Sequence, residues 1–443
     1  YFRMLVTMAV SLYTSRVVLN ILGVEDFGIY NVVGGIVAMF GFINGSMTSA
    51  TQRYLTFELG QNNRAQLTKV FSTSLSIHGI ISFLIIVLAE TVGLWFLWNK
   101  MQIPADRMNA AFWVFQCSVA ASVIMIMSVP YNAAIIAHER MSAFAYISII
   151  EVSLRLLIVC FLRYFHTDKL ILYAALIVIV QFLIRLCYSW YCNRHFNETK
   201  YRWSWDKGLF KEMTGFASWN MFGSLAAITF TQGLNLLLNM FFGPVVNAAR
   251  GIAVQAQTAI GQFSSNFQTA LNPQITKSYA TGDMEYMHGL IFRSAKFSFF
   301  LLLLLSLPVL IETKAILTLW LKIVPDHTVV FLRIMLCTTW VYAVSNPLIT
   351  AASATGKIKL YQSVVGGLLL LILPISYLCL RFGLPAYSVF IVHLVIEITA
   401  QFARLLMLKR MIKLSLREYF SKVVWCIFKV TAIALAVPLA VAY

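Results

Sequence analysis

The sequence predicts an all-α polytopic membrane protein. Two pseudo-symmetric six-helix lobes, related as a parallel repeat, are followed by at least one further helix. Three observations carry this. Of the 443 residues, 60% are hydrophobic and 12% charged, about half the charge of a soluble domain. Mean hydropathy is +0.79, and apolar runs long enough to cross a bilayer recur from end to end. Matching punctuation returns after roughly half the chain.

The runs place spans at 2–22, 29–52, 70–98, 109–135, 144–163, 170–192, 213–241, 246–272, 291–320, 329–352, 361–380 and 386–408, with a thirteenth beginning at 423. Loops are short, so the domains are 1–192 (first lobe), 193–212 (connecting loop), 213–408 (second lobe) and 409–443 (basic loop and partial thirteenth helix). No cleavable signal peptide is visible. Tyr1 and Tyr443 both fall inside helical patterns, as expected of a chain trimmed at each end.

Loop charge sets the orientation. Loops after even-numbered spans, counted with the adjoining span ends, carry 19 Lys and Arg; those after odd-numbered spans, counted likewise, carry six, Lys100, Arg107, Arg163, Lys169, Lys322 and Arg381. The positive-inside rule puts the even side, and the N-terminus, in the cytoplasm. The formal charge of +17 is explained largely by this bias. Trp203 and Trp205 with interleaved cations read as an interfacial segment, and no nucleic-acid partner is expected. The seven cysteines form no CxxC and read as small core residues, not as a disulfide framework or a metal site.

The repeat rests on ordered matches. Gly23 aligns with Gly243 at an offset of 220, and Gly60 with Gly282 at 222. The segment SVPYNAAIIAHERM (128–141) aligns with SNPLITAASATGKI (345–358) at 217, pairing Pro130 with Pro347 and Arg140 with Lys357. Six spans restore the starting side, so the pseudo-twofold axis lies along the membrane normal. That architecture suits a substrate path between rocking lobes.

Charge at bilayer depth is costly unless it is paired or solvated. The first, second, seventh and eighth spans contain Arg3, Arg16 and Arg250 but no Asp or Glu. These arginines, and Arg53 at the end of the second span, are candidates for an anion-binding cavity. A guanidinium stays charged and can grip two phosphate oxygens. The bland alternative is snorkelling or packing on carbonyls, strongest for Arg3. In the eighth span Arg250, Gln257, Gly261, Ser264 and Gln268 lie within about 40° of one line. Asn31, Ala38, Gly45 and Gln52 form a similar stripe in the second. Each stripe suits cavity lining, with helix–helix glue as the alternative. Glu151–Arg155 and Glu397–Arg404 share helix faces and read as structural pairs; His78 and His393 read as packed core histidines.

No HExxH, Walker or GxSxG motif is present, so no catalytic residue, metal site or cofactor is expected and the chain reads as a non-enzyme. Sodium or proton coupling is left unassigned.

The run SRVVLNILGVEDFGIYNVVGG, with Arg16, Leu22, Gly23, Phe27, Gly28 and Tyr30, resembles the opening hairpin of bacterial polysaccharide biosynthesis membrane proteins. These are the O-antigen-type lipid-linked oligosaccharide flippases of the multidrug/oligosaccharidyl-lipid/polysaccharide (MOP) exporter superfamily. The likeness continues through Gln52-Arg53-Tyr54, Gly60 and SVPYNAAIIAHERM. It implies movement of an undecaprenyl-diphosphate-linked glycan across the bacterial inner membrane for surface polysaccharide synthesis. A cationic cavity would take the diphosphate. It also implies membrane lipids, and other polysaccharide-assembly proteins, as partners. A multidrug exporter of the same superfamily is the alternative, but a cation pump would be expected to carry an early carboxylate. A membrane-embedded glycan-assembly enzyme would be expected to carry a large outer loop. A non-transporting scaffold is the remaining reading, disfavoured by the repeat and the stripes.

Overall fold

The computed structural model describes residues 6, 7, 10, 13, 14, 17, 18, 21–23, 26–30, 33, 34, 41–99, 101, 103–162, 168–200, 206–321 and 324–442. No strand occurs among them, and every described residue from 6 to 34 is helical. The helices, numbered from the first with a continuous description, are α1 (Gly41–Gly60), α2 (Arg64–Asn99), α3 (Met108–Ala137), α4 (Met141–Leu162), α5 (Lys169–His195) and α6 (Lys207–Gly243). They continue with α7 (244–281), α8 (Met284–Ile311), α9 (Thr313–Leu321), α10 (Thr328–Ala354), α11 (Lys359–Arg381), α12 (Ser388–Met411) and α13 (Leu416–Ala436).

Ten of the described helices are long and apolar enough to cross a membrane. The protein is therefore a multi-pass membrane protein. α7 is not among the ten, although its sequence reads as a span. It is a continuous helix, but its glutamines, serines and asparagines lower its hydropathy. Large apolar side chains face outward along the spans, as at Phe83, Leu236, Met240, Leu304 and Ile433. In water such a surface would be an aggregation liability; in lipid it is the solvent-matched face.

The chain clusters into two compact units, Tyr1–Ala217 and Ser218–Tyr443. In the first, α3 packs against α1, α2 and α5. Its buried Ala110, Ala111, Val114 and Phe115 meet Ile29, Val33, Ala89, Leu97 and Leu170. One end is tied by Arg107, which donates to Asp26 and, at 2.8 Å, to Asp168. Asp168 also caps α5 by accepting from the amides of Leu170 and Ile171. The hydrogen bond to Asp26 is the main reason that the Arg107 guanidinium holds its proton more tightly than usual. Asp26 is thus engaged in an ion pair.

Another contact of this unit is pH-dependent. His138 Nε2 bonds Glu198 Oε1, and Phe196 stacks flat on the His138 ring with centroids 4.0 Å apart. Burial pushes the Glu198 carboxyl up, but the hydrogen bond from His138, a backbone hydrogen bond and the nearby positive charges of His138 and Arg64 together outweigh it and leave its affinity for protons below normal. A depressed carboxylate stabilises the fold above its unfolded pKa, and that contribution fades as pH falls through the folded value. Thermal unfolding in detergent is therefore expected to show wild type losing an advantage over Glu198→Gln as pH drops below about 4.5. A difference that stays constant from about pH 6 down to about pH 3 would contradict the assignment.

In the second unit α6 and α11 approach closely. A Cβ at Gly233 would fall 2.4 Å from Leu373 Cδ2, and one at Gly223 would strike the Gln362 amide. That amide donates to Asn220 Oδ1 at 2.9 Å. α8, α10 and α12 bury Ile291, Ala295, Leu348, Ala351, Ala400 and Leu405 in one core. A second core joins Leu234, Leu238 and Ala249 to Phe331, Leu336 and Phe390.

The repeat is visible inside the two units as matching backbone irregularities. Gly23 and Gly243 both turn the chain with positive φ, 81° and 77°. Asn62 and Gly282 are likewise left-handed, and Asn63 and Asp283 cap the next helices by accepting from the amides of Gln66 and Tyr286. These pairs share the 220-residue offset of the glycine turns, so the pairing of Gly60 with Gly282 is corrected by two residues. Glu139 and Gly356 are both left-handed at the offset of 217, and Pro130 and Pro347 both lie inside helices.

Gly243 (φ 77°, ψ −173°) occupies backbone space that is essentially reserved for glycine. A Cβ there meets nothing within 4 Å, so the penalty for a side chain is conformational alone. Gly243→Ala is expected to cost about 1–3 kcal/mol, read as a lower unfolding midpoint. An unchanged midpoint would show that the α6–α7 bend can relax.

The helix predicted over 213–241 begins earlier, at Lys207. Asp206 caps it, accepting from the amides of Gly208 and Leu209 at 2.9 and 3.0 Å. This brings Glu212 into the helix. The apolar span lacks carboxylates, but its first turns do not.

Candidate functional site

α7 carries the site. It follows the bend at Gly243, which folds it back along α6. Arg250, in its second turn, is 8% exposed. Its Nη1 donates to Asn235 Oδ1 at 3.0 Å and its Nη2 to the Thr231 carbonyl at 2.9 Å, both on α6. Its Nε has no hydrogen-bond partner. The guanidinium is therefore buried against neutral oxygens, and no carboxylate is bonded to it.

Below Arg250 the polar stripe separates. Gln257, Gly261, Ser264 and Gln268 line a cavity of about 420 Å³ within the second unit; Arg250 does not. The two glutamines do two jobs. Gln257 Nε2 donates to the Met335 carbonyl (3.1 Å) and Thr339 Oγ1 (2.8 Å) of α10. Gln268 Nε2 donates at 2.8 Å to the Ala343 carbonyl. Pro347 lies four residues beyond Ala343 and has no N–H, so that carbonyl lacks its usual helical donor. Gln268 supplies it. The stripe is thus both helix–helix glue and cavity wall. Ser264 Oγ is buried without a partner.

The opposite wall holds a pair that the sequence reading treated as structural. Arg404 Nη1 donates to Glu397 Oε1 at 2.8 Å, and both residues are under 5% exposed. Arg404 Nη1 also donates to Ser345 Oγ at 3.1 Å. Ser345 in turn donates to Gln401 Oε1 at 2.6 Å, and Gln401 Nε2 to the Tyr419 hydroxyl at 3.3 Å. The chain of bonds links α10, α12 and α13. Glu397, Arg404 and His393 all line the same cavity as Gln257 and Gln268. Opposite charges seven apart on an apolar helix are visible in the sequence. That they border a cavity is not, because α7 and α10 supply its other walls.

In the first unit Arg53 lies over the rings of Phe57 and Phe216, 4.8 and 5.8 Å from their centroids. Beside it the Tyr54 hydroxyl donates to Glu212 Oε1 at 3.0 Å. Arg53 therefore sits in an aromatic setting close to carboxylates. Gln52 is half-buried and Gly45 exposed. Arg3, Arg16 and Asn31 lie outside the described residues. Glu151 and Arg155 pair at 2.7 Å, with Gln181 also donating to Glu151. His78 Nδ1 bonds the Ser74 carbonyl, one turn back, at 2.7 Å. His393 packs against Phe230.

The model of one family, described as polysaccharide biosynthesis protein, matches residues 3–279. The chain belongs to the polysaccharide biosynthesis protein family. The matched region runs through the first unit, the Gly243 bend and nearly all of α7, so Arg250 and the stripe fall inside it. Comparison with curated proteins finds no match. Among solved structures, this family member is similar to an outward-facing multidrug resistance MATE family transporter of the MOP superfamily. The TM-score is 0.80 at 12% identity, over 93% of each chain. A MATE protein in a bent conformation gives a TM-score of 0.82 at 12% identity, over 97% of this chain and 95% of that one. The Vibrio cholerae MATE transporter VcmN gives 0.77 at 15% identity, over 95% and 96%. At such identities the likeness establishes the fold. The chain shares the fold of these MATE proteins.

Proposed function

We propose that this protein is a flippase. It moves an undecaprenyl-diphosphate-linked oligosaccharide from the cytoplasmic to the outer leaflet of the bacterial inner membrane, for surface polysaccharide or O-antigen synthesis. Residues 1–192 and 213–408 are the lobes that rock between the two accesses, with the N-terminus cytoplasmic. The observation that carries the reading is Arg250, a buried guanidinium bonded only to neutral oxygens with one N–H unused. Such a charge is costly at bilayer depth, and an anionic ligand relieves the cost. A diphosphate fits, because the planar fork grips paired oxygens. Arg16, Arg53 and Arg3 are proposed as further cationic contacts, and Asn31 and Gln52 as further lining residues. Membrane lipids and other polysaccharide-assembly proteins are the expected partners, and sodium or proton coupling stays unassigned. No chemical step is assigned to the chain.

The test is a reconstituted flipping assay in proteoliposomes, using lipid-diphosphate glycans and imposed ion gradients. Protein-dependent movement of the labelled glycan lipid is expected. Export of a cationic dye with no glycan-lipid movement would instead make the protein a drug exporter.

A further inference from the structure

The second unit's cavity has a chemistry distinct from that of Arg250. Its walls are mostly apolar, with polar groups gathered where α7, α10 and α12 meet. The carboxylate and guanidinium on its wall neutralise each other at 2.8 Å. A cation entering it meets a carboxylate already held by Arg404, and an anion meets a guanidinium already held by Glu397. Neither gains the full attraction of an unpaired counter-charge. What the site offers beyond this internally neutralised pair is hydrogen bonding. Thr338 and Gln262 line it, Ser264 Oγ and Arg404 Nε are buried without partners, and Phe230 and Tyr342 add ring faces. Its size, about 420 Å³, is within the range of small-molecule sites. Buried donors and acceptors without partners discriminate strongly in favour of a ligand that satisfies them.

We propose that this cavity is a sugar site. It takes a neutral pyranose of the transported glycan, its hydroxyls on the α7, α10 and α12 polar groups and its C–H faces on the aromatic rings. This rests on the flippase reading and adds to it a division of labour, with Arg250 contacting diphosphate and the second unit's cavity contacting sugar.

The full chain in lipid nanodiscs would be titrated with two probes, undecaprenyl diphosphate and undecaprenyl-diphosphate N-acetylglucosamine. Wild type is expected to prefer the glycosylated probe by about tenfold or more. Gly261→Leu fills the cavity. Its first added carbon meets Thr339 at an ordinary 3.7 Å, and the rest projects into the space. The variant should lose the preference and keep its affinity for the bare diphosphate lipid. Thr338→Val, which removes one lining hydroxyl at nearly constant volume, should weaken the preference, and it decides the matter if Gly261→Leu unfolds early in a thermal scan. Equal binding of the two probes by wild type overturns the sugar site and leaves the flippase reading intact. A preference that survives both variants overturns it as well. So does a Gly261→Leu protein altered only in its response to sodium or pH, which would make the cavity an ion site. Failure of wild type to bind either probe removes the flippase reading and the sugar site together.

Discussion

Arg404→Met is expected to destabilise the protein by about 3–5 kcal/mol, the usual result of leaving one partner of a buried ion pair behind. The geometry makes this a severe case. Arg404 is 2% exposed and Glu397 4%, and one nitrogen of Arg404 serves both Glu397 and Ser345. Removing the guanidinium strands the carboxylate and frees Ser345, whose hydroxyl anchors the bond to Gln401 and hence to Tyr419 on α13. The double variant Glu397→Leu/Arg404→Met removes both charges and should recover much of the loss, because well-packed apolar replacements of a buried pair are often neutral or better. Thermal unfolding in detergent, followed by circular dichroism, reads both variants. If the double variant is as unstable as the single one, the stability lies in packing of the arginine stem and not in charge balance. The pair's retention at a cavity wall would then still require a functional reason.

Arg250→Ala is expected to cut glycan export by about 10- to 100-fold, the factor corresponding to one hydrogen bond to a charged group at 1.5–3 kcal/mol. Folding should survive. The guanidinium leaves behind only the Asn235 amide and the Thr231 carbonyl, neutral groups that water in a cavity can satisfy. Arg250→Lys keeps the charge but not the fork. A partial rescue means that the site reads charge; a poor one means that it needs bidentate geometry. Cells lacking their own flippase, scored for surface polysaccharide, provide the measurement, with membrane insertion checked separately. Normal export by Arg16→Ala/Arg250→Ala would remove the cationic-cavity mechanism.

These two arginines also show how far a sequence can be read. Arg250 and Arg404 are each a charge in an apolar run. Helical geometry puts Arg404 one face from Glu397, and it puts Arg250 in line with Gln257, Ser264 and Gln268. The first alignment holds as an ion pair. The second holds only from Gln257 onward, because Arg250 turns toward α6 while the later residues face α10. The start of α6 differs from the predicted one for a local reason. The capping Asp206 lies next to a Trp-rich basic stretch that hides it. The shift of two residues in the repeat has a similar cause, since Asn62 takes a left-handed turn for which glycine was the expected marker.

Membrane class, helical content and the repeat follow from composition, hydropathy and the spacing of helix-breaking residues. These are local properties: an apolar run of about 20 residues must be helical in lipid, whatever surrounds it. Where each polar group spends its hydrogen bonds is not local. Gln268 serves Ala343 because Pro347, on another helix, leaves that carbonyl without a donor. Glu397 and Arg404 border a cavity because α7 and α10 stop short of filling it. Only the packing of distant helices determines which polar side chains are glue and which are left facing open space.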